Sequence, residues 1–186
     1  MPMDVQFRPD ITQGEVPVLY LFSGLPGVGK STLAQKLAQH TRAYYLRIDT
    51  LEQGLRDVCH INVEGEGYRL GYRLIADNLK LGLSCIADCC NPIALTRREW
   101  QAVATEIGVP FINIEVCCSD VKAHRHRVQT RSVAVSNLRL PTWPEVCARE
   151  YEPWHESVIR IDTAGQTPAQ SFSQLLNLLE RAEGYA

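Results

Sequence analysis

The apolar run Val16–Phe22 (VPVLYLF) leads directly into Ser23-Gly24-Leu25-Pro26-Gly27-Val28-Gly29-Lys30-Ser31-Thr32, and an amphipathic stretch, KSTLAQKLAQHT, follows. Few short segments limit a fold so strongly. The spacing is G-x-x-x-x-G-K-S, placed between a buried strand and a helix. Glycines let successive backbone N–H groups converge on one concavity, and the helix adds the positive end of its dipole. Lys30 supplies a mobile charge for terminal phosphates, and the Ser31 hydroxyl is a hard oxygen suited to Mg²⁺. The candidate nucleotide-binding residues are therefore Gly24, Leu25, Pro26, Gly27, Val28, Gly29, Lys30, Ser31 and Thr32.

The rest of the chain repeats this alternation of apolar runs and amphipathic stretches, which argues for a parallel α/β sheet. After Val16–Phe22, further strands are expected at 43–48 (AYYLRI), 83–88 (LSCIAD), 110–117 (PFINIEVC) and 157–162 (SVIRID). A mainly helical stretch from Thr50 to about Leu81 breaks at the glycines of NVEGEG. The helix of LTRREWQAVATEIG has Thr96 as its expected cap, Glu99 three residues on and Gly108 as its stop. Ser119 is the expected cap of the basic helix SDVKAHRHRVQTR, which leads into the irregular SVAVSNLRLP. A last helix from about Pro168 to Arg181 offers Phe172, Leu175, Leu176 and Leu179 as its buried stripe.

These elements make one domain over 16–186, with 1–15 as an N-terminal extension and a lid around 124–145. The 186 residues suffice for one sizeable core, and 45% hydrophobic with 22% charged residues is ordinary for a globular chain. A formal net charge of −2 advertises neither a nucleic-acid track nor an anionic membrane surface. No run approaches the roughly 18–20 apolar residues of a membrane helix, and MPMDVQFRPD lacks the apolar core of a secretory leader. Seven cysteines without a C-x-x-C pair suit reduced thiols in a cytoplasmic protein. The adjacent pairs Cys89–Cys90 and Cys117–Cys118 point to opposite strand faces, and His124 and His126 diverge around a helix, so none chelates one ion easily.

In an open parallel sheet, ligands collect outside the carboxyl ends of the strands. The second strand ends at Asp49 and the third at Asp88. Asp88 reads either as a magnesium ligand beside Ser31 or as a turn residue. Asp49 reads either as the group that accepts an acceptor hydroxyl's proton or as the N-cap of the helix after it. Arg127 and Arg131 stand at i and i+4 on one helix face, which is either a solvated basic face or part of a lid closing over transferring phosphate. Arg97 and Arg98 follow Asn91 near the third strand's end and are candidate substrate contacts. Trp100, Trp143 and Trp154 read as packing residues, and Arg47 inside an apolar strand has no sequence-level account.

Taken in order, GLPGVGKST, RIDTLEQGLR, CIADCCNP, RHRVQTR and RIDTAG resemble the small P-loop kinases, in particular the predicted kinases grouped with AAA-type ATP-binding proteins. Gluconate kinase, chloramphenicol phosphotransferase, zeta toxin and adenylylsulfate kinase are neighbouring families. The resemblance implies a three-layer fold whose five-stranded parallel sheet has the order 2-3-1-4-5, with ATP and Mg²⁺ as the donor pair. It implies Lys30, Asp49, Arg127 and Arg131 as catalytic residues, Ser31 and Asp88 as metal ligands, and Asp49 on the substrate; the serine that adenylylsulfate kinase uses after its third strand is not evident, and Asn91, a candidate substrate contact, follows Asp88 there instead. It also implies that Thr163, Ala164 and Gly165 lie against adenine. Glu52 stands where adenylylsulfate kinase tends to carry arginine, which separates this chain from that family. The expected activity is transfer of a γ-phosphoryl group to a small-molecule hydroxyl. The alternatives are a nucleotide-hydrolysing switch, for which the guanine-reading N-K-x-D sequence is absent, or a kinase acting on a nucleic-acid end or nucleotide-sugar.

Overall fold

The computed structural model describes residues 16–183, so the extension expected over 1–15 lies outside the described residues. Its elements in chain order are β1 (Leu19–Ser23), α1 (Lys30–Thr41), β2 (Tyr44–Arg47), α2 (Ile48–Cys59), α3 (Glu66–Lys80), β3 (Cys85–Asp88), α4 (Ala94–Ile107), β4 (Phe111–Cys117), α5 (Val121–Thr130), α6 (Trp143–Cys147), β5 (Ile159–Asp162) and α7 (Pro168–Glu183). The five strands form one sheet in the order β2-β3-β1-β4-β5, with every pairing parallel. The three-layer architecture and strand order expected of the chain are the observed ones.

Because strand side chains alternate between faces, β1 feeds two cores. Tyr20 and Phe22 join Leu33 and Leu37 of α1 and Leu175 and Leu179 of α7 on one face. Leu19 and Leu21 join Leu46, Ile75, Leu79, Trp100 and Ala104 on the other. Within this second layer Tyr72 meets Trp100 edge-on at 4.5 Å between ring centroids, an arrangement suited to aromatic quadrupoles. Complete burial of β1 leaves its carboxyl end as the natural opening of the sheet.

Helix ends depart from the sequence reading in instructive ways. Gly108 does stop α4, in the left-handed conformation. Thr96 does not cap it: the N-cap is Ile93, and the Thr96 hydroxyl donates to the Ile93 carbonyl. The Ala94 N–H donates instead to the Glu152 carboxylate, 2.6 Å away and remote in sequence. Glu99 accepts from the Tyr72 hydroxyl rather than closing a capping box. Asp120, not Ser119, caps α5 by accepting from the N–H groups of Lys122 and Ala123. An aspartate one residue nearer the first turn outcompetes a serine because its carboxylate takes two of the orphan donors. Among the described residues no helix is long and apolar enough to cross a membrane.

Candidate active site

The phosphate loop is held from behind. Gly24 adopts φ 136°, and a β-carbon there would lie 2.1 Å from the Val116 carbonyl oxygen. Gly27, at φ 85°, lies against α5, where a β-carbon would meet Val128 Cγ2 at 2.6 Å. Beside this contact, the buried His124 places Nε2 2.8 Å from the Pro26 carbonyl, and Trp143 packs on the imidazole at 5.1 Å. The basic helix therefore braces the loop directly. Gly29 is the N-cap of α1 and offers no side chain to its first turn, which also contains no acid. Those N–H groups and the helix dipole are available to an anion. Lys30, mostly buried, arches back so that Nζ lies 3.4 Å from the Leu25 carbonyl.

Asp88 ends β3 directly beside β1, with Phe22 as its register partner. It is buried, and its Oδ2 accepts from the Tyr45 hydroxyl at 2.7 Å. Burial first, then the nearby Asp88 carboxylate, pushes the Tyr45 phenol far above its ordinary range, so the tyrosine stays a donor. The Asp88 carboxylate and Ser31 hydroxyl supply hard oxygens, the donor type Mg²⁺ selects. A buried carboxylate whose partner is a neutral phenol suits a cation. Among the described residues no cluster of three or more His, Cys, Asp or Glu gathers as a ready metal cage. A Mg²⁺ ion here would complete its shell with phosphate and water oxygens, as that ion commonly does.

The end of β2 borders the same opening of the sheet. Helix α2 begins at Ile48 with Arg47 as its N-cap, so Asp49 lies in the first turn and is not the cap. Its carboxylate, about half exposed, receives the Arg47 guanidinium at 3.5 Å. Glu52, one turn on, bonds Arg56 at 3.4 Å, and burial raises its carboxyl above the ordinary range against the opposing pull of Arg56. Asn91 follows β3 in a left-handed conformation. It is buried and donates through Nδ2 to the Phe22 carbonyl.

Two arginines expected to act together part company. Helix α5 ends at Thr130, and Arg131 is its C-cap at φ −62°, ψ 141°, with its N–H still bonded to the Arg127 carbonyl at 3.0 Å. Arg127 turns to β5 and donates to both the hydroxyl (2.7 Å) and the carbonyl (3.0 Å) of Thr163. Arg131 instead neighbours the end of β2, where Asp49, Cys90, Arg47 and Arg149 all act on its charge. Arg97, a sequence candidate for substrate contact, is instead a buried strut. It donates to the carbonyls of Asn91, Pro92, Glu152 and Pro153 and stacks on Trp154 at 4.2 Å. Arg98 is exposed on α4.

A cavity of about 220 Å³ opens on the far side of the phosphate loop, between Gly29 and Thr32, Arg127 and Thr163, and Gln166 and Ser171. The Thr163 hydroxyl lies 2.9 Å from the Val28 carbonyl and 3.0 Å from that of Cys117. It thus ties the segment after β5 to the loop. Thr163, Ala164 and Gly165 turn there under the Asp162 carboxylate, which accepts from the N–H groups of Ser119 and Ala164. Sequence reasoning did not find Tyr45, His124 or Arg149. The signal available for Arg47 was an arginine standing inside an apolar strand one step from its carboxyl end.

Residues 19–144 match the model of a family described as an AAA domain. The chain belongs to that family. A relative from Pyrococcus furiosus named "Putative adenylate kinase" is 27% identical over 171 residues, spanning 87% of this chain and 84% of that one. The APS kinase CysC of Mycobacterium tuberculosis, solved with AMPPNP and APS, is 18% identical, with a TM-score of 0.67 over 88% of this chain and 98% of its own. A gluconokinase from Sinorhizobium meliloti 1021 is 15% identical, with a TM-score of 0.62 over 92% and 99%. The fold is that of the small P-loop kinase group.

Proposed function

We propose that this chain transfers the γ-phosphoryl group of ATP to a hydroxyl group of a small molecule. The observation that carries the reading is Asp49. Its carboxylate stands at the carboxyl end of β2, freed from any capping duty and held by Arg47. A protein that only bound nucleotide would have no use for such a group.

In this reading the phosphates rest on the N–H groups of Gly24–Thr32 and the first turn of α1, with Lys30 swinging from the Leu25 carbonyl onto the terminal phosphates. Ser31 and Asp88 would hold Mg²⁺, which would supply neutralisation of the phosphate charge. Thr163, ahead of Ala164 and Gly165, borders the cavity that takes the base, and Arg127 fixes that border through its two bonds to Thr163. Asp49 orients the acceptor hydroxyl and takes its proton. As the acceptor oxygen bonds to the γ-phosphorus, the bond to the β,γ-bridging oxygen breaks and ADP departs. Arg131 approaches from the acceptor side and stabilises charge on the transferring group. Asn91 supports the acceptor side from within, because burial limits it to holding the loop after β3. Of the segment expected as a lid, 124–130 braces the phosphate loop, and the irregular stretch between α5 and α6 closes over the bound pair.

The test is ADP release with a panel of hydroxyl-bearing metabolites, for the wild type and for Asp49→Asn. Acceptor-stimulated turnover is expected to fall about 10²–10⁴-fold in the variant, the usual contribution of a positioned general base. If no acceptor stimulates turnover, or the variant matches the wild type with a stimulating one, the proposal fails.

A further inference from the structure

Three arginines converge on the acceptor side from separate parts of the chain. Arg47 ends β2, Arg131 caps the end of α5, and Arg149 follows α6. Their charges are poorly compensated. Among the described residues Arg47 pairs with the half-exposed Asp49 at 3.5 Å, and no ion pair involves Arg131 or Arg149. The other nearby carboxylate, Glu52, is taken by Arg56. Arg149 donates from Nη1 to Cys90 Sγ at 3.5 Å, a weak acceptor. The Nε atoms of Arg47 and Arg131 are both buried and lack hydrogen-bond partners. Burial, and the adjacent charges of Arg47 and Arg149, oppose the charge on Arg131, while Asp49 and Cys90 support it.

Like charges brought together with buried donors unsatisfied cost stability unless something else compensates them. The triphosphate is an unsuitable candidate for the whole cluster. Its phosphates have Lys30 and the open first turn of α1, whereas Arg47 ends the strand that leads into Asp49. The planar guanidinium fork is the side chain best matched to a second oxyanion.

Building on the phosphotransferase reading, we propose that the acceptor is itself anionic, and that Arg47 and Arg149 seat an oxyanion it carries, with Arg131 between that group and the transferring phosphoryl. The acceptor is then a hydroxylated acid or a phosphorylated or sulfated alcohol. Asp49 meets its hydroxyl while the arginines hold its acidic group, so the molecule binds in one orientation.

The direct test titrates inorganic phosphate, sulfate and acetate into protein saturated with Mg-AMPPNP, so that the phosphate loop is filled. At least one anion is expected to bind, and Arg149→Ala to weaken it about tenfold, the loss of one charge-assisted contact. Arg149→Lys should restore part of the loss. Preference for phosphate and sulfate over acetate marks a tetrahedral group, and the reverse marks a carboxylate. Arg149 is exposed, so its truncation leaves the core intact; Arg47→Met tests the second contact. The turnover arm compares matched acceptors with and without the acidic group. Acidic members alone should stimulate ADP release, with KM raised by Arg149→Ala and the affinity for AMPPNP unchanged. The inference is overturned if no anion binds the nucleotide-filled protein, or if neutral acceptors turn over with a KM that Arg149→Ala leaves alone. Since the titration needs no turnover, anion binding without any acceptor-stimulated ADP release counts against phosphotransfer and not against the subsite.

Discussion

Gly27→Ala tests how firmly α5 braces the phosphate loop. Two costs are separable. An alanine at φ 85° carries the left-handed penalty of about 1–2 kcal/mol. Its β-carbon would also stand 2.6 Å from Val128 Cγ2, far inside van der Waals contact. Relieving that overlap requires a shift of roughly 1 Å in a packed contact, an overpacking cost of about 1–3 kcal/mol. The expected total is about 2–5 kcal/mol. Val128→Ala removes the offending methyl and by itself costs about 1.5–3 kcal/mol through lost burial and a small void. The double variant should therefore be more stable than the sum of the two losses predicts, by about 1–3 kcal/mol, with the backbone penalty remaining. Urea unfolding of all four proteins gives the cycle, and Mg-ATP affinity follows alongside. Strictly additive losses would refute the direct contact. So would a Gly27→Ala protein within about 0.5 kcal/mol of wild type, the usual range for an unconstrained surface site.

Two further outcomes follow from the same structure. Hydrogen bonds from Ser119 and Ala164 hold the Asp162 carboxyl below its ordinary 3.8. Its stabilisation is therefore present above that value and is lost as pH falls through the lowered folded value. Asp162→Asn keeps an acceptor but cannot titrate, so the variant's unfolding midpoint should fall less steeply as pH drops below the ordinary carboxyl value; parallel curves would remove Asp162 from the acid response. Arg97→Met should lower stability by about 3–5 kcal/mol, because it strands several buried carbonyls together. Arg97→Lys should recover little, since one ammonium cannot reproduce the fork or the stack on Trp154; equal stability of all three proteins would show that the strut is dispensable.

The layers and the loop were readable because their signals are local. Strand alternation, the glycine spacing before Lys30 and the stop at Gly108 each act within a turn or a strand of backbone. Leu175 and Leu179 of α7 lie in the core as their spacing implied, with Phe172 and Leu176 packed against it. Arg131 shows where such reading fails. Its i+4 relation to Arg127 holds, since its N–H still bonds the Arg127 carbonyl, yet the two side chains find different partners: Arg127 bonds Thr163, whereas the Arg131 charge is felt by Asp49 and Cys90. Side-chain direction, which helical spacing does not fix, separates the two guanidinium groups. The Arg97 side chain likewise reads as an accessible cation in one dimension and proves to be a buried tie between distant loops.

What the sequence determined by itself was a parallel sheet, a phosphate-binding loop at the end of its first strand, and acids at the ends of the next two. These follow from backbone conformations that neighbouring residues dictate. The tertiary structure decided which groups face one another across that opening. It brought Tyr45 to Asp88, Thr163 to Val28, Glu152 to the start of α4, and Arg47, Arg131 and Arg149 toward Asp49. Such meetings depend on how separately formed layers pack, and a side chain's role at the site is set by that packing rather than by its neighbours along the chain.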